Sequence, residues 1–170
     1  MNRPHYILLP VSPLFIAFSL AGAFIMNLLP WGNWVGAPDF VALVLVFWGI
    51  HQPRKVGIGL AFFMGLLMDV HEATRLGENA LAYTLLSYLA IMIHRRVLWF
   101  PVMTQAVHVL PLLLVTQAIQ VIVGFIVSRK FPGWTYFIES VVAVALWPVI
   151  TWLLLAPQRR AVDRDHTRPI

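Results

Sequence analysis

Apolar segments follow one another along this chain with only short polar breaks between them. Six segments can be outlined, and together they occupy most of the 170 residues: 11–29, 38–50, 56–70, 79–93, 98–127 and 138–155. The hydrocarbon core of a bilayer is roughly 30 Å thick and needs about 20 residues of helix to cross it. The pattern predicts an all-α polytopic membrane protein, a single transmembrane domain with six spans over residues 1–170 and a polar cytoplasmic tail at 156–170.

The composition agrees with lipid as the solvent. Hydrophobic residues make up 60% of the chain and charged residues only 11%, whereas soluble domains have about 45–50% and 25%. The absence of cysteine excludes disulfides, thiolate catalysis and cysteine-based metal sites. The net charge of +5 does not indicate nucleic acid, because the basic residues are scattered over short loops and a tail.

The positions of the basic residues predict the orientation. If the N-terminus lies in the cytoplasm and the chain crosses six times, nine Lys or Arg residues fall inside and three outside: Arg75, Arg129 and Lys130. That imbalance is typical of the positive-inside rule. Segments two to four are short, but a re-entrant hairpin would place Arg54 and Lys55 at membrane depth, where charge is costly. Six crossings, with both termini inside, are therefore expected.

The same topology places five acidic residues at the outer ends of the spans: Asp39, Asp69, Glu72, Glu78 and Glu139. Only Asp163 and Asp165 fall inside. Trp31, Trp34, Trp134 and Tyr136 also collect at the outer boundary, where amphipathic rings are favoured. The sequence therefore predicts a polar outer rim.

The third segment has small residues at four-residue spacing, Gly57, Ala61 and Gly65, followed by Asp69. Such a strip lets two helices approach closely in a membrane. It serves either packing within the chain or the docking of a partner's transmembrane helix.

Asp39 and Asp69 lie near the outer face on adjacent spans, which raises the hypothesis of an aspartic peptidase with a shared proton. The asparagine-containing motifs of lipoprotein signal peptidase are not visible around them. Asp39 follows a proline at a helix start, where a carboxylate caps unpaired N–H groups. Capping is the preferred interpretation.

The fifth segment carries polar side chains within an apolar stretch: Gln105, His108, Thr116, Gln117 and Gln120. Polar groups in lipid turn toward hydrogen-bonding partners, which predicts an interior or interface face. Together with Asp39, the residues Gln105, His108 and Gln120 could instead form a polar pocket. A weaker version is an ion or proton path through Gln105, His108 and Gln120. His108 has no second histidine at ligand spacing, and no catalytic motif is present. We expect no metal, no cofactor and no enzymatic activity.

Two arginine pairs, Arg95-Arg96 and Arg159-Arg160, lie next to helix ends on the inner side. They are interpreted as topology signals that contact anionic lipid headgroups, and a cytoplasmic protein partner could use the same patch.

An ordered string of short motifs resembles the rod shape-determining protein MreD family. It begins with Leu29-Pro30-Trp31, Pro38, Phe47-Trp48 and Pro53-Arg54, and continues with Val56-Gly57-Ile58-Gly59, Gly65-Leu66-Leu67-Met68-Asp69, Leu76-Gly77-Glu78-Asn79-Ala80-Leu81 and Leu146-Trp147-Pro148. The resemblance covers roughly residues 25–155. Family members usually have Arg-Pro before span two, whereas here Ala37 precedes Pro38. Asp69 fits the family pattern better than Asp39 does.

The resemblance implies a multi-pass subunit of the bacterial inner membrane, in the complex that builds lateral peptidoglycan. The implied partners are MreC directly and MreB, RodA and a class B penicillin-binding transpeptidase indirectly, besides membrane lipids. The implied fold is that of the substrate-binding subunits of energy-coupling-factor transporters.

Two hypotheses follow. In the first, the chain is a non-catalytic scaffold that docks the transmembrane helix and proximal periplasmic stalk of MreC, with contacts from Trp48, Gly57, Ala61, Gly65, Asp69 and Arg75. In the second, it is a small-molecule-binding membrane subunit of a transporter, with the polar pocket described above.

Overall fold

The computed structural model describes residues 11–31, 36–73, 75–129 and 133–158. Within them the chain is helical, without strands. The six α-helices are α1 (Pro13–Leu28), α2 (Phe40–His51), α3 (Ile58–His71), α4 (Glu78–Val97), α5 (Val102–Ser128) and α6 (Ile138–Leu155). Short 3₁₀-helices at Trp134–Phe137 and Ala156–Gln158 flank α6. Most of the predicted tail, including Arg159 and Arg160, lies outside the described residues, as do Trp34 and Lys130.

Local chemistry sets the helix boundaries. Ser12 caps α1 by accepting a hydrogen bond from the Phe15 N–H, and Pro13 occupies the first helical position, where no N–H is needed. The fifth segment was expected from residue 98, but α5 begins at Val102, after Pro101. The four residues before Val102 form a turn, because α4 continues through both arginines to Val97.

Helix α2 is the centre of the bundle. Every residue from Val41 to Ile50 is buried, with α1, α4, α5 and α6 packed around it. A helix that is apolar on all sides has no face for water and is buried either in protein or in lipid; here the neighbouring helices enclose it. Helix α3 is peripheral and packs mainly against α4.

The bundle is apolar on its outside and carries polar groups inside. Phe18, Val70 and Ile126 are each at least 70% exposed. Among the residues that the structure describes, nine polar ones are buried instead: Asp69, Asn79, Ser87, Gln105, Thr116, Gln117, Ser140, Thr151 and Gln158. Soluble monomers rarely expose large contiguous apolar surfaces. This arrangement, together with two helices long and apolar enough to cross a membrane, Val102–Val127 and Trp134–Gln158, is that of a membrane protein.

Consecutive helices run in opposite directions, so their ends meet in two groups. The acidic end contains all five carboxylates of the described residues: Asp39, Asp69, Glu72, Glu78 and Glu139. The basic end contains Arg54, Lys55, Arg95 and Arg96. The Lys55 ammonium donates to the backbone carbonyl of Val11, which ties the start of α1 to the α2–α3 connection.

Candidate functional site: a polar cavity at the acidic end

A cavity of about 250 Å³ opens at the acidic end, where α1, α2, α5 and α6 meet the end of α3. Its apolar floor includes Leu113 and Ala143, and Trp31 lies at its wall. The polar side chains that line it are Asn27, Asp39, Glu72, Thr116, Gln117, Gln120, Tyr136, Glu139 and Ser140. The cavity is smaller than the 300–1,000 Å³ of pockets for drug-sized ligands.

Asp39 joins three helices at the cavity wall. Its Oδ1 accepts hydrogen bonds from the Ala42 N–H at 3.0 Å and from Asn27 Nδ2 at 2.9 Å. Its Oδ2 accepts from the hydroxyl of the buried Tyr83 at 2.5 Å. Asn27 also accepts from the Phe40 N–H at 3.0 Å. Asp39 is therefore the N-cap of α2 and connects that helix to α1 and α4.

Asp69 belongs to α3 but caps the start of α4. Its carboxylate accepts from the backbone N–H groups of Gly77 and Asn79, each at 2.7 Å, and from Ala80 at 3.4 Å. These N–H groups have no partner within their own helix, and the positive end of the helix dipole favours a carboxylate there. Asp69 is 1% exposed, so this bond set joins α3 and α4 inside the protein.

Gly65 lies one turn before Asp69 and brings the two helices into backbone contact. A Cβ at this position would lie 2.4 Å from Ala80 Cα and 2.6 Å from Asn79 O. Ala61 is fully buried as well. These two residues of the small-residue strip therefore serve packing within the chain, which is the first of the two roles considered for it.

A chain of amide hydrogen bonds crosses the cavity from α3 to the 3₁₀-helix before α6. Asn79 donates to Glu72 at 3.0 Å and accepts from Gln120 at 2.6 Å, and the Tyr136 hydroxyl donates to Gln120 at 2.9 Å. Partial burial raises the pKa of Glu72 above its usual value; the Asn79 bond opposes this rise, and the negative charge of Asp39 adds to it.

A second set of hydrogen bonds joins α5 to α6. Gln117 donates to the Tyr136 carbonyl at 3.0 Å and to Glu139 at 3.3 Å, and it accepts from the Ser140 hydroxyl at 2.6 Å. Side-chain amides both donate and accept, so they can link helices where lipid offers no alternative partner.

The structure brings together only part of the predicted pocket. Asp39 and Gln120 line the cavity, but Gln105 and His108 lie toward the basic end of α5. Gln105 donates to the Phe100 carbonyl at 3.0 Å, and His108 stacks on the Phe100 ring at 4.8 Å and bonds to the Thr104 carbonyl. The four residues do not form one pocket.

The predicted partner interface is also divided. Trp48 is fully buried in α2, where its indole donates to Ser19 Oγ at 2.8 Å. Gly57 caps α3 and has open space where a Cβ would lie. Arg75 is half-exposed and pairs with Glu78 at 3.5 Å. Because Trp48, Ala61, Gly65 and Asp69 are covered by the chain's own helices, they offer no side-chain surface to a partner.

Sequence reasoning missed several members of the site: Asn27, Asn79, Tyr83 and Ser140. Each is a polar residue inside or beside an apolar segment, and that position is the signal that could have found them. Asn79 and Ser140 lie in the first turns of α4 and α6, where capping is the default interpretation.

The chemistry of this site is hydrogen bonding and negative charge. Within the described parts of the chain, no three His, Cys, Asp or Glu side chains converge as metal ligands. The carboxylates of Asp39 and Asp69 accept bonds from different helix starts, which is the capping role expected for Asp39 in preference to a peptidase dyad.

Comparison with known proteins gives one family. The family model described as rod shape-determining protein MreD matches residues 6–156. The rod shape-determining protein MreD of Haemophilus influenzae is 29% identical over 146 residues, which are 82% of this chain and 87% of that protein. No solved structure matches the chain.

Proposed function

Because the chain belongs to the rod shape-determining protein MreD family, we propose that it is a non-catalytic scaffold of the cell-wall elongation complex. In this role it lies in the bacterial inner membrane, crosses it six times and docks MreC, with MreB, RodA and a class B penicillin-binding transpeptidase as indirect partners. The family match carries the proposal. It makes rod-shape determination the process in which the chain acts.

The distribution of charge supports the orientation. All five described carboxylates lie at one end and four basic residues lie at the other, and cytoplasmic loops carry the excess of Lys and Arg. The acidic end with its cavity then faces the periplasm. Helices α2 and α3 are only about 18 and 21 Å long at 1.5 Å per residue. The enclosed α2 needs no contact with lipid, but α3 is both short and peripheral.

The docking face that fits this geometry is the outward side of α3, the surface formed by Gly59, Phe62, Phe63, Leu67 and Val70. All five residues are exposed, and Gly59 has no atom within 4 Å of where its Cβ would lie. Gly59 has no side chain, so a single transmembrane helix of a partner can approach the α3 backbone closely at this position. The partner helix would then pack against the neighbouring Phe62 and Phe63. A partner helix here would cover the short helix, and its periplasmic stalk would emerge near Arg75.

Co-purification with MreC tests this face. Gly59→Leu fills the space that the partner helix would occupy without a clash inside the chain, so we expect loss of the complex with normal membrane insertion. Gly22→Leu is the matched control, because Gly22 on α1 is also exposed with nothing within 4 Å. If the Gly59 variant binds MreC as well as the Gly22 variant, the docking face is not on α3. Gly65→Leu is unsuitable, since it would disrupt the α3–α4 contact itself.

A second candidate function, a small-molecule-binding subunit, rests on the polar cavity lined by Asp39 and Gln120. It predicts that the purified chain retains a small polar compound and that Gln120→Leu releases it. Mass spectrometry of extracts from the purified protein distinguishes the candidates, because the scaffold needs no such compound.

A further inference from the structure

The turn between α4 and α5 presents two arginines and a tryptophan at the basic end. Arg95 and Arg96 lie in the last turn of α4, and both are exposed. Trp99 follows at 89% exposure, more than any other large hydrophobic residue that the structure describes. Nothing in the described part of the chain covers this indole.

The two arginines lack a carboxylate partner among the described residues. Every carboxylate of the described residues lies at the acidic end. Glu78 and Arg95 lie near opposite ends of α4, a helix of 20 residues, and are separated by about 25 Å along it. The Debye length at physiological salt is about 8 Å. The positive charge at this turn is therefore not neutralised by the acidic end.

The turn is fixed by its neighbours. Val97 is fully buried. Phe100 makes two contacts with α5: its backbone carbonyl accepts a hydrogen bond from Gln105, and its ring stacks on the His108 ring. This accounts for two polar residues of α5 that do not belong to the cavity. With the residues on both sides anchored, Trp99 is presented outward from a defined turn.

Apolar side chains continue the same surface toward the middle of the bundle. Met92 on α4 is 63% exposed and Met103 on α5 is 70% exposed. A cationic rim with an exposed indole above an apolar flank matches a phospholipid, whose phosphate lies at the interface and whose chains extend inward. An acidic peptide would match the arginines but would leave the methionines uncovered.

We propose that the α4–α5 turn is a binding site for an anionic phospholipid. Arg95 and Arg96 bind the phosphate through charge-assisted hydrogen bonds, Trp99 lies at the level of the headgroup, and Met92 and Met103 contact the acyl chains. The proposal requires the chain to lie in a bilayer. It does not depend on the docking of MreC, so either proposal can fail alone.

Lipid titration of the full-length chain in detergent tests the site. The probes are fluorescent phosphatidylglycerol and phosphatidylcholine with the same acyl chains, and the wild type should prefer phosphatidylglycerol. A basic residue near an anionic surface contributes about 1 kcal/mol, so Arg95→Gln and Arg96→Gln should each weaken phosphatidylglycerol binding about fivefold and the double variant about 25-fold. Added salt should weaken wild-type binding in the same direction.

Arg129→Asn is the matched control. Arg129 is an exposed arginine at the acidic end with a φ of 53°, a conformation that asparagine tolerates. Its variant should bind phosphatidylglycerol like the wild type. Equal weakening by Arg129→Asn, or wild-type affinity in the double variant, overturns the proposal.

Quenching by bromine-labelled phosphatidylglycerol gives a second measurement that does not remove charge. If Trp99 lies at the lipid, Trp99→Phe should remove a large part of the quenchable tryptophan fluorescence. Unchanged quenching would place the bound lipid elsewhere and would also overturn the proposal.

Discussion

The substitution Gly65→Ala tests the contact on which the α3–α4 pair depends. The added methyl group would meet Ala80 Cα at 2.4 Å, Ala80 N at 2.6 Å and Asn79 O at 2.6 Å. All three are backbone atoms near the start of α4, so no side-chain rotation can relieve the clash. The helices must move apart.

The expected cost has two parts. Overpacking a well-filled contact costs about 1–3 kcal/mol. Separation also lengthens the hydrogen bonds from Gly77, Asn79 and Ala80 to Asp69, and bonds to a charged group contribute about 1.5–3 kcal/mol. We therefore expect a loss of about 3 kcal/mol or more in the free energy of unfolding.

The assay is unfolding of the purified chain by SDS in mixed micelles, followed by far-ultraviolet circular dichroism. Gly22→Ala is the control, because a Cβ there meets nothing within 4 Å and alanine favours a helix interior by about 0.5–1 kcal/mol. Gly65→Ala should unfold at a clearly lower SDS fraction than the wild type, and Gly22→Ala at an equal or higher one. If both variants unfold together, the reasoning about close backbone contact is refuted.

Three further predictions concern the acidic end and use the same SDS assay. Asp69→Asn should destabilise the protein by about 3 kcal/mol, because the asparagine amide offers one acceptor oxygen to three N–H donors and carries no charge. An unchanged midpoint of SDS unfolding would exclude Asp69 as the cap of α4. Tyr83→Phe should cost about 1–3 kcal/mol, since it removes the buried hydroxyl that donates to Asp39, and a cost near zero would contradict that bond. The pKa of Glu72 is raised in the folded state, so its stabilising contribution is full below the ordinary glutamate pKa of 4.5 and is lost as pH rises through the raised pKa. The wild type should therefore lose stability relative to Glu72→Gln as pH rises, and parallel pH profiles would contradict this.

The apolar segments of the sequence predicted where the helices lie, because lipid-facing and core-facing residues are both apolar in a membrane protein. Each predicted segment overlaps one observed helix, and the sixth coincides with α6. The differences lie at the ends. Arg95 and Arg96 were expected outside the fourth helix, yet α4 contains them, because an arginine in the last turn complements the helix dipole.

The contacts between helices could not be predicted in the same way. One-dimensional spacing placed Gln105, His108 and Gln120 on one face of α5, but Gln105 and Gln120 are separated by about 22 Å along the helix. They consequently contact different neighbours. Gln105 and His108 contact Phe100, whereas Gln120 is hydrogen-bonded to Asn79 and Tyr136. Similarly, spacing alone could not say whether Gly65 faces α4 or a partner, since both uses need the same small residue.

Accessibility labelling with a membrane-impermeant maleimide tests the membrane topology directly, because the chain has no cysteine of its own. Single replacements would be made at Leu76, which is 76% exposed at the acidic end, and at Arg54 and Arg95 at the basic end. We predict that Leu76→Cys is labelled from the periplasmic side, whereas Arg54→Cys and Arg95→Cys are labelled only after the inner membrane is opened. Labelling of Arg54→Cys and Arg95→Cys from opposite sides would contradict the six-crossing arrangement and the docking face built on it.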